Sequence, residues 1–184
     1  MNKVILVGHS FGGRVAIRIA SQKGYLLDKI VLVDSAGLIP RRGLKYYFKI
    51  YVHKLMMKLN IPHNAGSDDY RKLNGVLKQT FKNVVNEDLG AELNKVTLPV
   101  LLIWGSKDKD TPIYMARRMK RRMPDSALII FEAAGHYSYL DRYGLFVTIL
   151  RNFLAGGEYE VDSGVLHSHS GHNGIVKIPM HQSK

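Results

Sequence analysis

Short, unbroken apolar runs recur along the chain at residues 3–7, 29–33, 99–104 and 127–131. Continuous runs of this length mark strands buried on both faces of a parallel sheet, where an alternating pattern would mark strands with one wet face. Between them, apolar residues fall at helical spacing. Residues 11–22 read as a helix with Val15, Ala16 and Ile19 on its apolar side, ended near Gly24. Residues 113–122 read as a basic helix stopped near Pro124. Residues 140–154 read as a closing helix with Tyr143, Phe146, Val147, Leu150 and Leu154 toward the core. Strands separated by helices predict an α/β protein with a parallel, doubly wound sheet.

The alternation is interrupted over residues 37–97. Leu44, Tyr47, Phe48, Tyr51, Val52, Leu55, Met56 and Leu59 recur at helical spacing, and a breaker follows with Pro62 and Gly66. Tyr70, Leu73, Leu77, Phe81, Val84 and Val85 suggest a second helix. The pattern predicts a helical cap at 37–97, inserted into a core made of 1–36 and 98–155. Residues 156–184 are rich in Gly, Ser and His and lack sustained periodicity, so they read as a flexible tail. The tail holds His167, His169, His172 and His181, with no carboxylate or cysteine at a regular spacing. No metal site is expected there.

The first apolar run leads into Gly8-His9-Ser10-Phe11-Gly12-Gly13. A buried strand, a tight turn with a serine between glycines, and a new helix make the nucleophile-elbow pattern. Gly8 and Gly12 are expected to leave room for the crowded backbone. The N–H of Phe11, at the helix start, is placed to donate to a developing oxyanion. Further on, Trp104-Gly105-Ser106-Lys107-Asp108 follows the third apolar run, with Pro112 four residues later. Ala134-Gly135-His136 follows the fourth. In a parallel sheet these strand ends share one edge, so residues 10, 108 and 136 should meet there.

From the elbow onward, over roughly residues 3–154, the chain closely resembles the α/β-hydrolase superfamily, and it is similar to the second half of that fold. The resemblance implies a serine hydrolase working by acyl transfer, with nucleophile, acid and histidine in that chain order. Residue by residue, it implies Ser10 as nucleophile, Asp108 as orienting carboxylate and His136 as general base. Asp34, after the second apolar run, is the rival acid, because some lipases of this fold place it there. Asp110 competes less well, since its spacing to Pro112 is wrong. A carboxylic ester is the expected substrate, and no metal or organic cofactor is implied. A catalytically silent module that keeps the fold's side chains by descent, acting in binding or needing a partner chain, is the alternative.

The resemblance also implies a second oxyanion donor, from a loop that would lie upstream of Met1. Strand 3–7 then becomes an apolar sheet edge, open to pairing. Three readings follow: a truncated product or misplaced start codon, a half-fold that forms a homodimer through that edge, or a subunit completed by a separate N-terminal polypeptide.

Composition narrows the picture further. There are no cysteines, which excludes disulfides and cysteine-based metal sites. No secretory core or membrane-length apolar run is visible, so a cytoplasmic location is expected. The formal net charge is +12, and it is concentrated locally. Arg41, Arg42, Lys45, Lys49, Lys54 and Lys58 form one acid-free stretch, and Arg117, Arg118, Lys120, Arg121 and Arg122 form another. No nucleic-acid-binding motif accompanies them, so nucleic acid is not an expected partner. The 43–59 helix reads either as an ordinary lid or as a basic amphipathic helix meeting an anionic membrane surface.

Overall fold

A computed structural model describes residues 3–39, 75, 79, 84, 86–156, 159–161, 164–166 and 175–178, the last three segments by their backbone. The chain divides into two compact units, Met1–Leu38 with Asp88–Lys184, and Ile39–Glu87. In the second unit, Gly75, Gln79 and Val84 are helical. The basic helix expected at 43–59 and the tail histidines lie outside the described residues.

The first unit begins with β1 (Val4–His9), α1 (Phe11–Lys23), a short 3-10 turn and β2 (Leu27–Val33). After a 3-10 turn at Glu92–Lys95 come β3 (Val100–Gly105), α2 (Ile113–Arg122), β4 (Ser126–Phe131), α3 (Ser138–Asp141) and α4 (Tyr143–Ala155). Three short strands end it: β5 (Tyr159–Val161), β6 (Gly164–Leu166) and β7 (Ile175–Ile178). The main sheet has the order β1-β2-β3-β4-β7, and every neighbouring pair is parallel. β5 and β6 form a separate antiparallel pair.

Strands therefore occur inside the stretch read from sequence as a tail. β7 is four residues long and lies along Leu128–Phe131 of β4. A run so short does not stand out from its Gly, Ser and His surroundings. It is ordered by a distant partner strand, which local pattern does not record.

Side chains alternate across the central strands and feed two cores. On one face Ile30, Leu32, Val100, Leu102, Trp104, Leu128 and Ile130 pack with α1 and α2. On the other, Val31, Val33, Leu101, Ile103, Ile129 and Phe131 pack with α4 through Ile149 and Phe153. Leu89, Leu93 and Val96 are fully buried in the first core. Residues 88–97, read from sequence as part of the cap, thus belong with the sheet.

Two helix faces match the expected ones in part: Ala16, Ile19, Phe146 and Leu150 pack on the cores. In α1 the buried residues are Gly13, Arg14, Ala16, Ile17 and Ala20, while Val15 is 45% exposed. Small residues bring α1 close to the sheet and set its inward face. The closing helix is interrupted at Arg142, whose backbone is not helical, and restarts at Tyr143. Phe146 and Leu150 pack on the second core as expected, with Ile149 and Phe153 buried beside them, whereas Tyr143 and Leu154 are exposed. α4 ends on Gly156 in the left-handed region at φ 74°, and Lys29 Nζ donates to the Phe153 carbonyl at 2.9 Å. The glycine adopts the turn without Cβ strain, and the ammonium sits at the negative end of the helix.

Most of the charge on α2 has a structural use. Arg122 Nη1 donates to the Gly90 carbonyl at 2.7 Å, and Arg118 approaches Asp88 at 3.7 Å. Lys120 is buried, and burial pulls its pKa below the ordinary lysine value against the opposing pull of Asp125. Arg117 and Arg121 remain exposed. No helix among the described residues is long and apolar enough to cross a membrane.

β1 is an edge strand, and no described strand pairs with its outer side. Val4 and Val7 are 53% and 52% exposed.

Candidate active site

Because the strands are parallel, β1, β2, β3 and β4 all end at the same edge of the sheet. Three non-glycine residues with positive φ lie there: Ser10 after β1 (50°), Asp34 after β2 (44°) and Ala133 after β4 (63°). Such conformations cost about 1–3 kcal/mol each and persist where the surroundings over-determine them.

The surroundings of Ser10 do so. Its N–H donates to the Val33 carbonyl at 3.1 Å. Its carbonyl accepts from the N–H groups of Gly13 and Ala36, at 3.1 and 2.9 Å. The turn also requires close backbone approach at two glycines. A Cβ on Gly8 would lie 2.6 Å from the Gly12 carbonyl oxygen, and one on Gly13 would overlap the Ser35 side chain. A Cβ on Gly12 would meet no described atom within 4 Å. Among the described residues, room is thus needed at Gly8, as expected, and at Gly13.

The acid and base loops are bonded to each other. Ser106 N–H donates to the Phe131 carbonyl, Lys107 N–H to the Ala134 carbonyl, and Ala133 N–H to Ser106 Oγ. Gly105 lets the carbonyls of Ala134 and Gly135 pass where any Cβ would stand. Gly135 N–H donates to Asp141 Oδ2 at 2.7 Å, which ties the loop to α3.

This framework brings Ser10, His136 and Asp108 together. His136 Nδ1 lies 2.9 Å from Asp108 Oδ2, and His136 Nε2 lies 3.0 Å from Ser10 Oγ. A carboxylate can only accept, so Nδ1 carries the proton and Nε2 offers its lone pair to the serine hydroxyl. The Asp108 side chain is fully buried and that of His136 is 14% exposed. Asp108 Oδ1 accepts from the N–H groups of Asp110 and Thr111, and the Thr111 hydroxyl donates to Oδ2 at 2.6 Å. Asp110, the weaker rival, supplies this turn through its backbone. Asp108, Asp110 and His136 bring potential metal-ligand atoms within 4.8 Å of one another. Yet both Asp108 oxygens and His136 Nδ1 already face protein partners, so the cluster is built as a hydrogen-bond relay. Phe11 opens α1, and its N–H is among the four that a helix leaves without an intrahelical acceptor.

Two further residues touch this arrangement. His9 Nε2 donates to the His136 carbonyl at 2.8 Å, and its ring packs against those of His136, Tyr137 and Tyr139. His9 adjoins the nucleophile in sequence, and in the fold it reaches the base loop across the strand ends. Asp34 does not contact His136 as an acid would. Its carboxylate accepts from Gly105 N–H at 2.8 Å, and from Ser138 N–H and Oγ–H at 3.0 and 2.6 Å. Burial pushes its pKa up from 3.8 to about 6, against the lowering effect of these hydrogen bonds; nearby Asp108 adds a smaller upward push.

The sequence profile of the Alpha/beta hydrolase family matches residues 1–149, and the chain belongs to that family. It is similar to an uncharacterized hydrolase, YugF, of Bacillus subtilis, with 30% identity over an alignment covering 74% of this chain and 59% of that protein. It is also similar to the pimeloyl-[acyl-carrier protein] methyl ester esterase of Nitrosomonas europaea, with 30% identity, covering 72% of this chain and 64% of that protein. Among solved structures, an α/β-hydrolase enzyme from a lagoon-sediment metagenome superposes with a TM-score of 0.60 at 23% identity, over 83% of this chain and 61% of that one. The chain spans about three fifths of the length of these proteins.

Proposed function

We propose that this chain carries the nucleophile, acid and base of a serine hydrolase that acts by acyl transfer on a carboxylic ester. The continuous hydrogen-bond path from Ser10 Oγ through His136 to Asp108 carries this reading. His136 Nε2 takes the hydroxyl proton as Ser10 Oγ attacks the ester carbonyl. Asp108 holds the tautomer and stabilises the imidazolium that forms. The tetrahedral oxyanion is met by the Phe11 N–H. Collapse expels the alcohol, which takes its proton from His136. Water, deprotonated by the same nitrogen, then releases the acid and restores Ser10. An ester substrate is supported by the similarity to a methyl ester esterase. The test is turnover of p-nitrophenyl esters of graded chain length. The reading expects an acyl-enzyme burst that Ser10→Ala abolishes; equal turnover by the variant would reject it.

A second reading concerns assembly: β1 pairs with the β1 strand of a second copy. Its support is the apolar character of the β1 edge, which no described strand covers and where Val4 and Val7 are more than half exposed.

A further inference from the structure

We propose that Asp34 is a positioning residue, whose buried carboxylate ties the strand end that carries Asp108 to the loop that carries His136. The inference rests on the acyl-transfer reading above. Asp34 is fully buried at the end of β2, the strand beside β3 in the sheet. Oδ1 accepts from Gly105, three residues before Asp108. Oδ2 accepts twice from Ser138, two residues after His136. One side chain thus sets the spacing between the acid turn and the base turn. Its backbone joins the same network, since the Thr111 hydroxyl that contacts Asp108 also lies 3.0 Å from the Asp34 carbonyl.

Packing alone does not account for this choice of residue. The Asp34 partners are two backbone amides and a hydroxyl, none of them a cation. A buried carboxylate without a counter-ion is costly beside an apolar side chain of similar size. Asp34 is also held at φ 44°. What this burial and strain provide is geometry: three acceptor contacts on two loops that must agree to within a fraction of an ångström. Misplacement by about 1 Å costs on the order of 100-fold in rate.

The experiment compares wild type, Asp34→Asn and Ser138→Ala by the rate of Ser10 phosphonylation with a fluorophosphonate, and by the low-field NMR signal of the His136 Nδ1 proton. Asparagine keeps the shape but turns one acceptor into a donor, which leaves one of the backbone N–H groups unpaired. Expected for folded Asp34→Asn is about 10- to 100-fold slower phosphonylation with KM for a p-nitrophenyl ester nearly unchanged, and a broadened or lost Nδ1 signal. Ser138→Ala, which loses only the hydroxyl contact, should show a smaller loss of the same kind. Wild-type rates and an intact Nδ1 signal in Asp34→Asn would overturn the proposal. Should that variant not fold, unchanged rate and signal in Ser138→Ala would overturn it. A wild-type protein that resists the probe, yet loses its Nδ1 signal on Asp34→Asn, would sink the acyl-transfer reading and leave the positioning role standing.

Discussion

Asp34 and Ser138 are 104 residues apart, and Asp34 Oδ2 accepts both the N–H and the hydroxyl of Ser138. The contact connects the end of β2 to the residue two beyond His136. Ser138 opens α3, so the contact ties the base loop to the sheet edge at the point where that loop enters the helix.

The titration of Asp34 should be visible in stability. Its pKa is raised from 3.8 to about 6, so the folded state binds the proton more tightly than the unfolded chain does. This contribution favours folding at pH below 3.8 and is lost as pH rises through about 6. Two units correspond to roughly 3 kcal/mol as an upper bound. Urea unfolding of wild type and Asp34→Asn should show wild type gaining on the variant as pH falls from 7 to 4. A constant difference would contradict the assignment.

His9 should matter to rate without taking part in chemistry. His9→Phe keeps a ring against Tyr137 and Tyr139 but removes the bond to the His136 carbonyl. The loss of one such bond is about 0.5–1.5 kcal/mol, so kcat should fall by roughly 2- to 12-fold with KM little changed. Steady-state kinetics on a p-nitrophenyl ester checks this; wild-type kcat would contradict it.

The elbow glycines should separate cleanly. Gly13→Ala and Gly8→Ala force a Cβ against the Ser35 side chain and the Gly12 backbone, and each should cost about 1–3 kcal/mol or more. Gly12→Ala meets no described atom within 4 Å and should leave Tm unchanged or slightly raised. Thermal unfolding of the three variants gives the order, and a destabilised Gly12→Ala would contradict it.

The outer edge of β1, which no described strand covers, predicts self-association if a second copy pairs there. Light scattering should then show mass rising with concentration, and Val7→Lys should abolish the rise. A wild-type monomer at every concentration would reject this pairing.

The convergence of Ser10, Asp108 and His136 was legible in sequence for a definite reason. Each follows a buried apolar run, and parallel strands carry their ends to one edge. The three side chains therefore announce themselves by local context, and the sheet does the rest. Asp34 was legible as a carboxylate at that edge but not in its role, because its partners Gly105 and Ser138 lie 71 and 104 residues away. His9 is similar: its bond spans 127 positions. The need for a glycine at 13 depends on Ser35, which the elbow motif does not contain. In α4, Phe146 and Leu150 were legible as core-side residues, while Tyr143 and Leu154, near the two ends of the helix, are exposed. β7 failed for brevity, being four residues ordered by a distant neighbour.

The most direct test of the central claim is the site of fluorophosphonate attachment, read by mass spectrometry of wild type, Ser10→Ala and Asp108→Asn. The account predicts a single adduct on Ser10 in wild type and none in Ser10→Ala. It predicts labelling slowed by as much as about 10⁴-fold in Asp108→Asn, where the imidazole tautomer is wrong. A folded wild-type protein that carries no adduct on Ser10, or an Asp108→Asn variant that labels at the wild-type rate, would contradict it.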